Sequence, residues 1–393
     1  MDVYKESLEL HETLRGKLEV HSKIHIKTHK DLSLVYTPGV AEPCRAIARH
    51  KADVYKYTIK GNTIAVISDG SSVLGLGNIG AEAGIPVMEG KAALFKELAN
   101  IDAFPICLAS QDQQRTIETI RNISPIFGGI NLEDIKAPQC FEIEAALQDL
   151  GIPVMHDDQH ATSVVVLAGL TNALNVVGKD FSSVKIVVNG AGAAATATTK
   201  LLLHHRVKAE NVILVDTHGI IYNGREDLVN NNHKQELALL TNSAHKRGRL
   251  ADAMKNADVF LGMSVGNVVS KEMVRSMSKN AIVFAMANPE PEIMPTDAYD
   301  AGAAIVATGR SDFPNQVNNV LAYPGIFRGA LDARVNRITE EMKVAAALAL
   351  AAIVKNPTTK NLLPYPTDRN IVPAVSKAVQ MAWKRIIEKG SKK

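Results

Sequence analysis

The stretch SVKIVVNGAGAAATATTKLLLHH, residues 183–205, constrains this chain more than any other. An apolar run passes through two glycines directly into an alanine-rich helical run. A strand that continues into a helix in this way must cross over to rejoin its sheet, so the region is committed to parallel βαβ units. In that setting Gly190 makes the tight turn, and Gly192 lets the backbone approach a pyrophosphate. Ala193 and Ala194 open the helix, whose first N–H groups face the anion. The next strand, NVILVD, ends in Asp216, which suits the hydroxyls of an adenosine ribose and repels a 2′-phosphate. Thr217 and His218 follow it rather than an arginine, so NAD is expected, with NADP as the alternative. A second glycine run, GLGNIG at 75–80, stands several residues beyond its strand and meets Pro86 soon afterwards. It is expected to be a backbone loop that shapes a substrate site.

Around this unit the chain alternates short buried-strand runs (TIAVISD, AFPICL, IPVMHD) with helical spacing in VMEGKAALFKELANI and CFEIEAALQDL. After residue 183 the runs NVILVD, ADVFLG, AIVFAMANP and AAIVATG read as further strands. The expected fold class is α/β with two domains. Residues 1–155 form an N-terminal α/β domain that carries substrate and metal, and 156–393 a Rossmann-like, doubly wound NAD(P)-binding domain with C-terminal helices. With 393 residues, 46% of them hydrophobic, the chain can fill two cores. Its 44 basic and 41 acidic residues are interspersed, which gives no footprint for nucleic acid or an anionic membrane. Cys44, Cys107 and Cys140 fit neither a disulfide framework nor a zinc site, so a reducing, cytoplasmic setting is expected. The N-terminus alternates charged with apolar residues and does not read as a secretory signal. The strongly apolar run 344–354 is about half of what a ~20-residue membrane span needs.

PVMHDDQHATSVVVLAG, residues 153–169, raises an electrostatic problem. Asp157 and Asp158 stand at the C-terminal end of a strand, where open α/β sheets place ligands, and Glu133 and Asp134 in GGINLEDIKAP also follow an apolar run. Carboxylates converging on one cleft need a cation, and Mg²⁺ or Mn²⁺ prefers such oxygen donors. The alternative is that one aspartate caps the following helix and the acidic pair is a solvated turn. Tyr36 precedes Thr-Pro-Gly, a turn able to hold its phenol at a cleft edge. Lys91 begins a helical run, where an apolar face can desolvate it and lower its pKa towards that of a base. In HSKIHIKTHK the alternation of Ile24 and Ile26 with Lys23, His25 and Lys27 reads as a strand with a solvated face rather than a histidine metal site.

The motifs YTPGVAEPC, SDGSSVLGLGNIG, PVMEGKAALFK, FGGINLEDIKAPQCFEIE, MHDDQH, NGAGAA, ANPEPE and NNVLAYPGIFRGALDA together resemble malic enzymes of the compact bacterial type, in order and spacing, from about residue 16 to 385. The resemblance implies oxidative decarboxylation of L-malate to pyruvate and CO₂ with NAD(P)⁺ and a divalent metal, decarboxylation of oxaloacetate at the same site, and a homodimer whose N-terminal segment, including Tyr36, lies near the partner subunit. It makes Glu133, Asp134 and Asp158 the metal ligands, with Asp157 behind them. Lys91 becomes the general base and Tyr36 the general acid. Asn288 and Asn318 are implied to hold the substrate carboxylate and nicotinamide, with Gly190, Gly192, Ala193, Ala194 and Asp216 on the dinucleotide. Larger relatives carry an arginine where this chain has Ser71 and Ser72. Ser72 and the amides of the 75–80 loop are therefore expected to hold the substrate carboxylate. Ala161 and Ala195 replace family glycines, the first leaving a local turn to be explained. The competing functions are malolactic decarboxylation to lactate and a catalytically silent NAD-binding regulator.

Overall fold

The structure, a computed structural model, describes residues 2–73 and 75–390. Strands β1 (Thr63–Ser68), β2 (Asp102–Cys107), β3 (Gly129–Leu132) and β4 (Val154–His156) form a parallel sheet in the order β2-β1-β3-β4. Strands β5 (Ile186–Asn189), β6 (Val212–Asp216), β7 (Gly219–Ile220), β8 (Val259–Gly262), β9 (Ile282–Ala285) and β10 (Ile305–Thr308) form a second, in the order β10-β9-β8-β5-β6-β7. Only β7 runs antiparallel to its neighbour. The second sheet is doubly wound, and the strand order reverses beside β5. That reversal opens a crevice at the carboxyl ends of β5 and β8, directly above Gly190.

Residues of β1 are buried along its whole length, as suits a central parallel strand covered on both faces. Strand β3 was legible only as an apolar run leading to a loop, because GINL is short and contains a glycine.

The helix Asp157–Val177 joins the two sheets. It is the one helix among the described residues long and apolar enough to cross a membrane by length and composition, yet 67% of its apolar window is buried inside the protein. One apolar core runs from Ile64 and Val66 of β1 through Val164–Leu170 of this helix to Ile186 and Val188 of β5 and Phe284 of β9. Asn172, inside that core, donates to the carbonyls of Ala351 and Leu362, so its polar amide is satisfied. The C-terminal helices are shared in the same way: Tyr323 and Phe327 of the helix Tyr323–Asp332 pack on Phe95 of the helix Gly80–Ala99, with ring centroids 4.7 and 5.5 Å away.

The strand expected in HSKIHIKTHK does not form. The segment is irregular until Thr28, whose hydroxyl accepts from Asp31 N–H while the Asp31 carboxylate accepts from Thr28 N–H. This capping box starts the helix His29–Val35, so the second half of the alternating pattern is spent on a helix N-terminus. Ile24 and Ile26 stay exposed.

Candidate active site

Chain direction brings the four acidic residues together. Glu133 follows β3, and its N–H donates to Ile67 O of β1. Asp134 next to it takes a left-handed φ of 54°, which turns the chain so that its N–H donates to Asp158 Oδ2 at 3.0 Å. Oxygens of Glu133, Asp134 and Asp158 all lie within 4.8 Å of one another, the first two residues buried and the third half-buried. Asp157 is wholly buried, and its Oδ1 meets no donor among the described residues. The helix starts at Asp157, preceded by His156 without a side-chain cap, so neither aspartate spends its oxygens as the N-cap. Ala161, fully buried in the second turn of this helix, occupies no turn that requires glycine.

Lys91 sits on the buried face of the helix Gly80–Ala99. Its ammonium contacts Asp157 Oδ2, lies 3.0 Å from Glu133 Oε1, and stands 4.2 Å from the centre of the Tyr323 ring. Burial alone would lower the pKa of Lys91, as expected from the sequence, but Asp157 and Glu133 outweigh it and hold the value well above that of an ordinary lysine. The carboxyls respond in the opposite sense. Burial raises Glu133, and the negative charges of Asp157, Asp158 and Asp134 raise it further against the pull of Lys91. Asp157 is likewise raised by burial. One ammonium among four carboxylates leaves the cluster short of positive charge, so the donor set fits a divalent cation.

Three residues here were not found from the sequence. Asn131 donates to Glu133 Oε2 at 2.8 Å, and Asn319 donates to Asp157 Oδ2 at 2.9 Å. Tyr323 is fully buried, its hydroxyl without a hydrogen-bond partner among the described residues, and burial pushes that hydroxyl far above a normal phenol. Only Asn131 carries a local signal, since it alternates with Leu132 on β3 and shares the face of Glu133.

The crevice above β5 has a volume of about 640 Å³ and is lined by Asn189, Gly190, Gly192, Asp216, Met263 and Ser264, among others. Gly190 has a φ of 126°, and a Cβ there would lie 2.4 Å from Met263 O, so only glycine fits. Gly192 faces open space and precedes the helix Ala193–His205 without a side-chain cap, which leaves N–H groups free for a pyrophosphate. Ala195 is buried, as the third position of the fingerprint requires.

Two family sequence models match the chain: "Malic enzyme, N-terminal domain" over residues 15–116 and "Malic enzyme, NAD binding domain" over 160–386. The chain belongs to the malic enzyme family. It is 54% identical over 385 residues to a bifunctional malic/malolactic enzyme of Bacillus subtilis, covering 97% of this chain and 93% of that one. It is 47% identical to an NADP-dependent malic enzyme of Rhizobium meliloti, covering 96% of this chain and 52% of that longer protein. The crystal structure of the NAD-dependent malic enzyme of Thermotoga maritima superposes with a TM-score of 0.92 at 46% identity, covering 95% of this chain and 98% of that one.

The remaining residues implied by the malic enzyme resemblance are placed unevenly. Ser72 is exposed beside the cluster, its N–H donating to Asp134 O at 3.0 Å, whereas Ser71 is buried and its hydroxyl serves Asp69. Asn288 lies where the glycine loop meets the second sheet: a Cβ on Gly75 would be 2.9 Å from its carbonyl. The Asn318 side-chain Oδ1 accepts from Val320 N–H and caps a short turn, and the adjacent Asn319 donates to Asp157 Oδ2. Tyr36 ends the helix His29–Val35 with 68% of its surface exposed, and its phenol makes no hydrogen bond to the described residues. The contacts of Lys91 are with Glu133, Asp157 and Tyr323, and Tyr36 is not among them.

Asp216 differs most from expectation. The expectation of NAD rests on the absence of an arginine directly after Asp216, but the chain folds back to place Arg225 on both its oxygens, at 2.9 and 2.6 Å, and Lys234 at 2.7 Å. His218 N–H donates as well, so each oxygen already has two donors. Burial would raise the carboxyl, yet these partners lower it to about 2.

Proposed function

We propose that the chain oxidatively decarboxylates L-malate to pyruvate and CO₂, with a dinucleotide over Gly190 and Gly192 and a divalent cation at Glu133, Asp134 and Asp158. The observation that carries this reading is Lys91, buried between Glu133 and Asp157 at the edge of the three-carboxylate set. Lys91 takes the proton of the malate 2-hydroxyl as hydride leaves C2, and it is oriented by Asp157 and by the Tyr323 face. A divalent cation at Glu133, Asp134 and Asp158 would offset the carboxylate charge that holds the Lys91 ammonium, and would supply Lewis acidity for the charge that develops as CO₂ departs. The dinucleotide supplies the hydride acceptor. Ser72, Asn288, Asn318 and the amides of the 75–80 loop hold the substrate carboxylate, with Asn288 and Asn318 also at the nicotinamide, and Asn319 steadies Asp157 beside them. Oxaloacetate decarboxylation follows from the same arrangement.

NAD⁺ is the proposed acceptor, with NADP⁺ accepted as well. Arg225 and Lys234 cancel the charge by which Asp216 would repel a 2′-phosphate. The protein acts in the cytoplasm as a homodimer. Its first forty residues expose Leu14, Val20, Ile24, Ile26, Leu34 and Tyr36, a run of apolar surface that a second copy would cover. In that dimer Tyr36 protonates C3 of enolpyruvate in the partner's site. Mixing Tyr36→Phe with Lys91→Ala protein tests this: activity regained on subunit exchange supports a shared site, and two inactive proteins that stay inactive once exchanged exclude it.

The decisive assay supplies malate and Mn²⁺ with NAD⁺ or NADP⁺ and identifies the three-carbon product. Pyruvate equal to the reduced cofactor supports the proposal. Lactate without net reduction would assign the second reading, malolactic chemistry, which the name of the Bacillus subtilis relative keeps open. No turnover at all would favour the silent regulator.

A further inference from the structure

Glu292 is fully buried behind Ser264, a residue that lines the crevice, and it has no ion pair with the described residues. Its Oε1 accepts from Ser264 N–H at 2.9 Å and from the Ser264 hydroxyl at 3.3 Å, and its Oε2 accepts from Ala287 N–H at 3.0 Å. The Ser264 hydroxyl in turn accepts from Asn189 Nδ2 at 2.7 Å. One carboxylate thus ties together the chain leaving β5, β8 and β9, three strand ends above which the crevice lies. Gly262 makes room for it, since a Cβ there would fall 2.4 Å from the Glu292 carboxyl carbon. Burial raises the pKa of Glu292, which an isolated buried carboxylate must tolerate unless hydrogen-bond donors converge on it. Ser264 and Asn189 both line the crevice, and Ala287 immediately precedes Asn288.

We propose that Glu292 is a positioning residue of the dinucleotide site, holding Ser264, Asn189 and the Ala287–Asn288 peptide in the shape that takes the cofactor. This rests on the reading that the crevice binds a dinucleotide. Glu292 itself touches no cofactor. An amide in its place presents N–H to a backbone N–H on one side, so either the Ser264 or the Ala287 connection is lost.

The test is calorimetric titration of NAD⁺ into the full-length protein, alongside Mn²⁺ binding by electron paramagnetic resonance and thermal midpoints. Wild type must bind NAD⁺; if it does not, the dinucleotide reading fails and this inference falls with it. Glu292→Gln is expected to weaken NAD⁺ about tenfold or more while leaving Mn²⁺ affinity within about twofold. Ser264→Ala is expected to weaken NAD⁺ less, and the double variant by less than the product of the single losses, because both act through one relay. Losses that multiply, or a lowered midpoint with NAD⁺ affinity unchanged, would overturn the proposal. Should Glu292→Gln fail to fold, unchanged NAD⁺ affinity in Ser264→Ala overturns it alone.

Discussion

Replacing Lys91 by methionine keeps most of the side chain's length and deletes its charge. Glu133 and Asp157, respectively 3% and 0% exposed, then lose their shared ammonium. Removing one partner of a buried ion pair costs about 3–5 kcal/mol, because the remaining charge is desolvated and unpaired. Unfolding entropy near the midpoint is roughly 2.1 cal/mol/K per residue, or about 0.8 kcal/mol/K for 393 residues. A loss of that size lowers the midpoint by about 4–6 °C if the shared core melts as one unit. The assay is differential scanning calorimetry of both proteins in EDTA and again in saturating Mn²⁺. In Mn²⁺ the gap is expected to shrink, because a cation on Glu133, Asp134 and Asp158 returns positive charge to the same place. Turnover of Lys91→Met is expected to fall by about 10²–10⁴-fold, the usual range for a lost acid–base group. Equal midpoints in EDTA would refute the claim that Lys91 compensates the cluster. A gap that Mn²⁺ leaves unchanged would refute the placement of the cation beside Glu133.

Other outcomes follow from the same geometry. Asp158→Asn, which removes a donor without removing bulk, is expected to raise the Mn²⁺ needed for half-maximal turnover at least about tenfold, with near-native circular dichroism. Gly190→Ala drives a Cβ onto Met263 O and should abolish dinucleotide binding measured by fluorescence quenching, whereas Gly192→Ala, facing open space, should fold normally. Glu144 is largely enclosed, its side chain 12% exposed; burial alone would raise its pKa, but His160 and Lys343 hold it at about 2 against a usual 4.5. A depressed carboxyl contributes stability that is present above its unfolded value and lost as pH falls through the folded one. The wild type should therefore lose on the order of 3 kcal/mol between about pH 4.5 and 2, a loss absent in Glu144→Gln when denaturant titrations are compared. Lys234→Glu should raise KM for NADP⁺ more than for NAD⁺; a parallel rise would remove Lys234 from any role at the 2′ position.

Periodicity exposed most of the sheet strands because parallel strands buried on both faces are dense apolar runs, and the glycine fingerprint located the switch point. What stayed illegible depended on groups distant in sequence. Arg225 and Lys234 reach Asp216 from 9 and 18 residues downstream, so inspecting the two residues after the aspartate could not find them. Asn318 and Asn319 are indistinguishable as letters; the turn that lets one cap and the other reach Asp157, 162 residues away, exists only in the fold. The opposite error occurred at Lys91, where burial was weighed and the two carboxylates beside it were not. In HSKIHIKTHK, alternation could not reveal that Thr28 and Asp31 would start a helix instead.

The helix Asp157–Val177 has a consequence for how the two halves depend on each other. Glu133 and Asp134 precede the expected domain boundary at 155/156, and Asp158 follows it, at the head of the helix whose body is the common core. A cation held by all three would act as a rivet across that boundary, adding its binding free energy to the cohesion of the halves. Separately expressed segments split at this point would each carry an incomplete ligand set, and their reassembly would then report free divalent metal through the recovery of a whole fold.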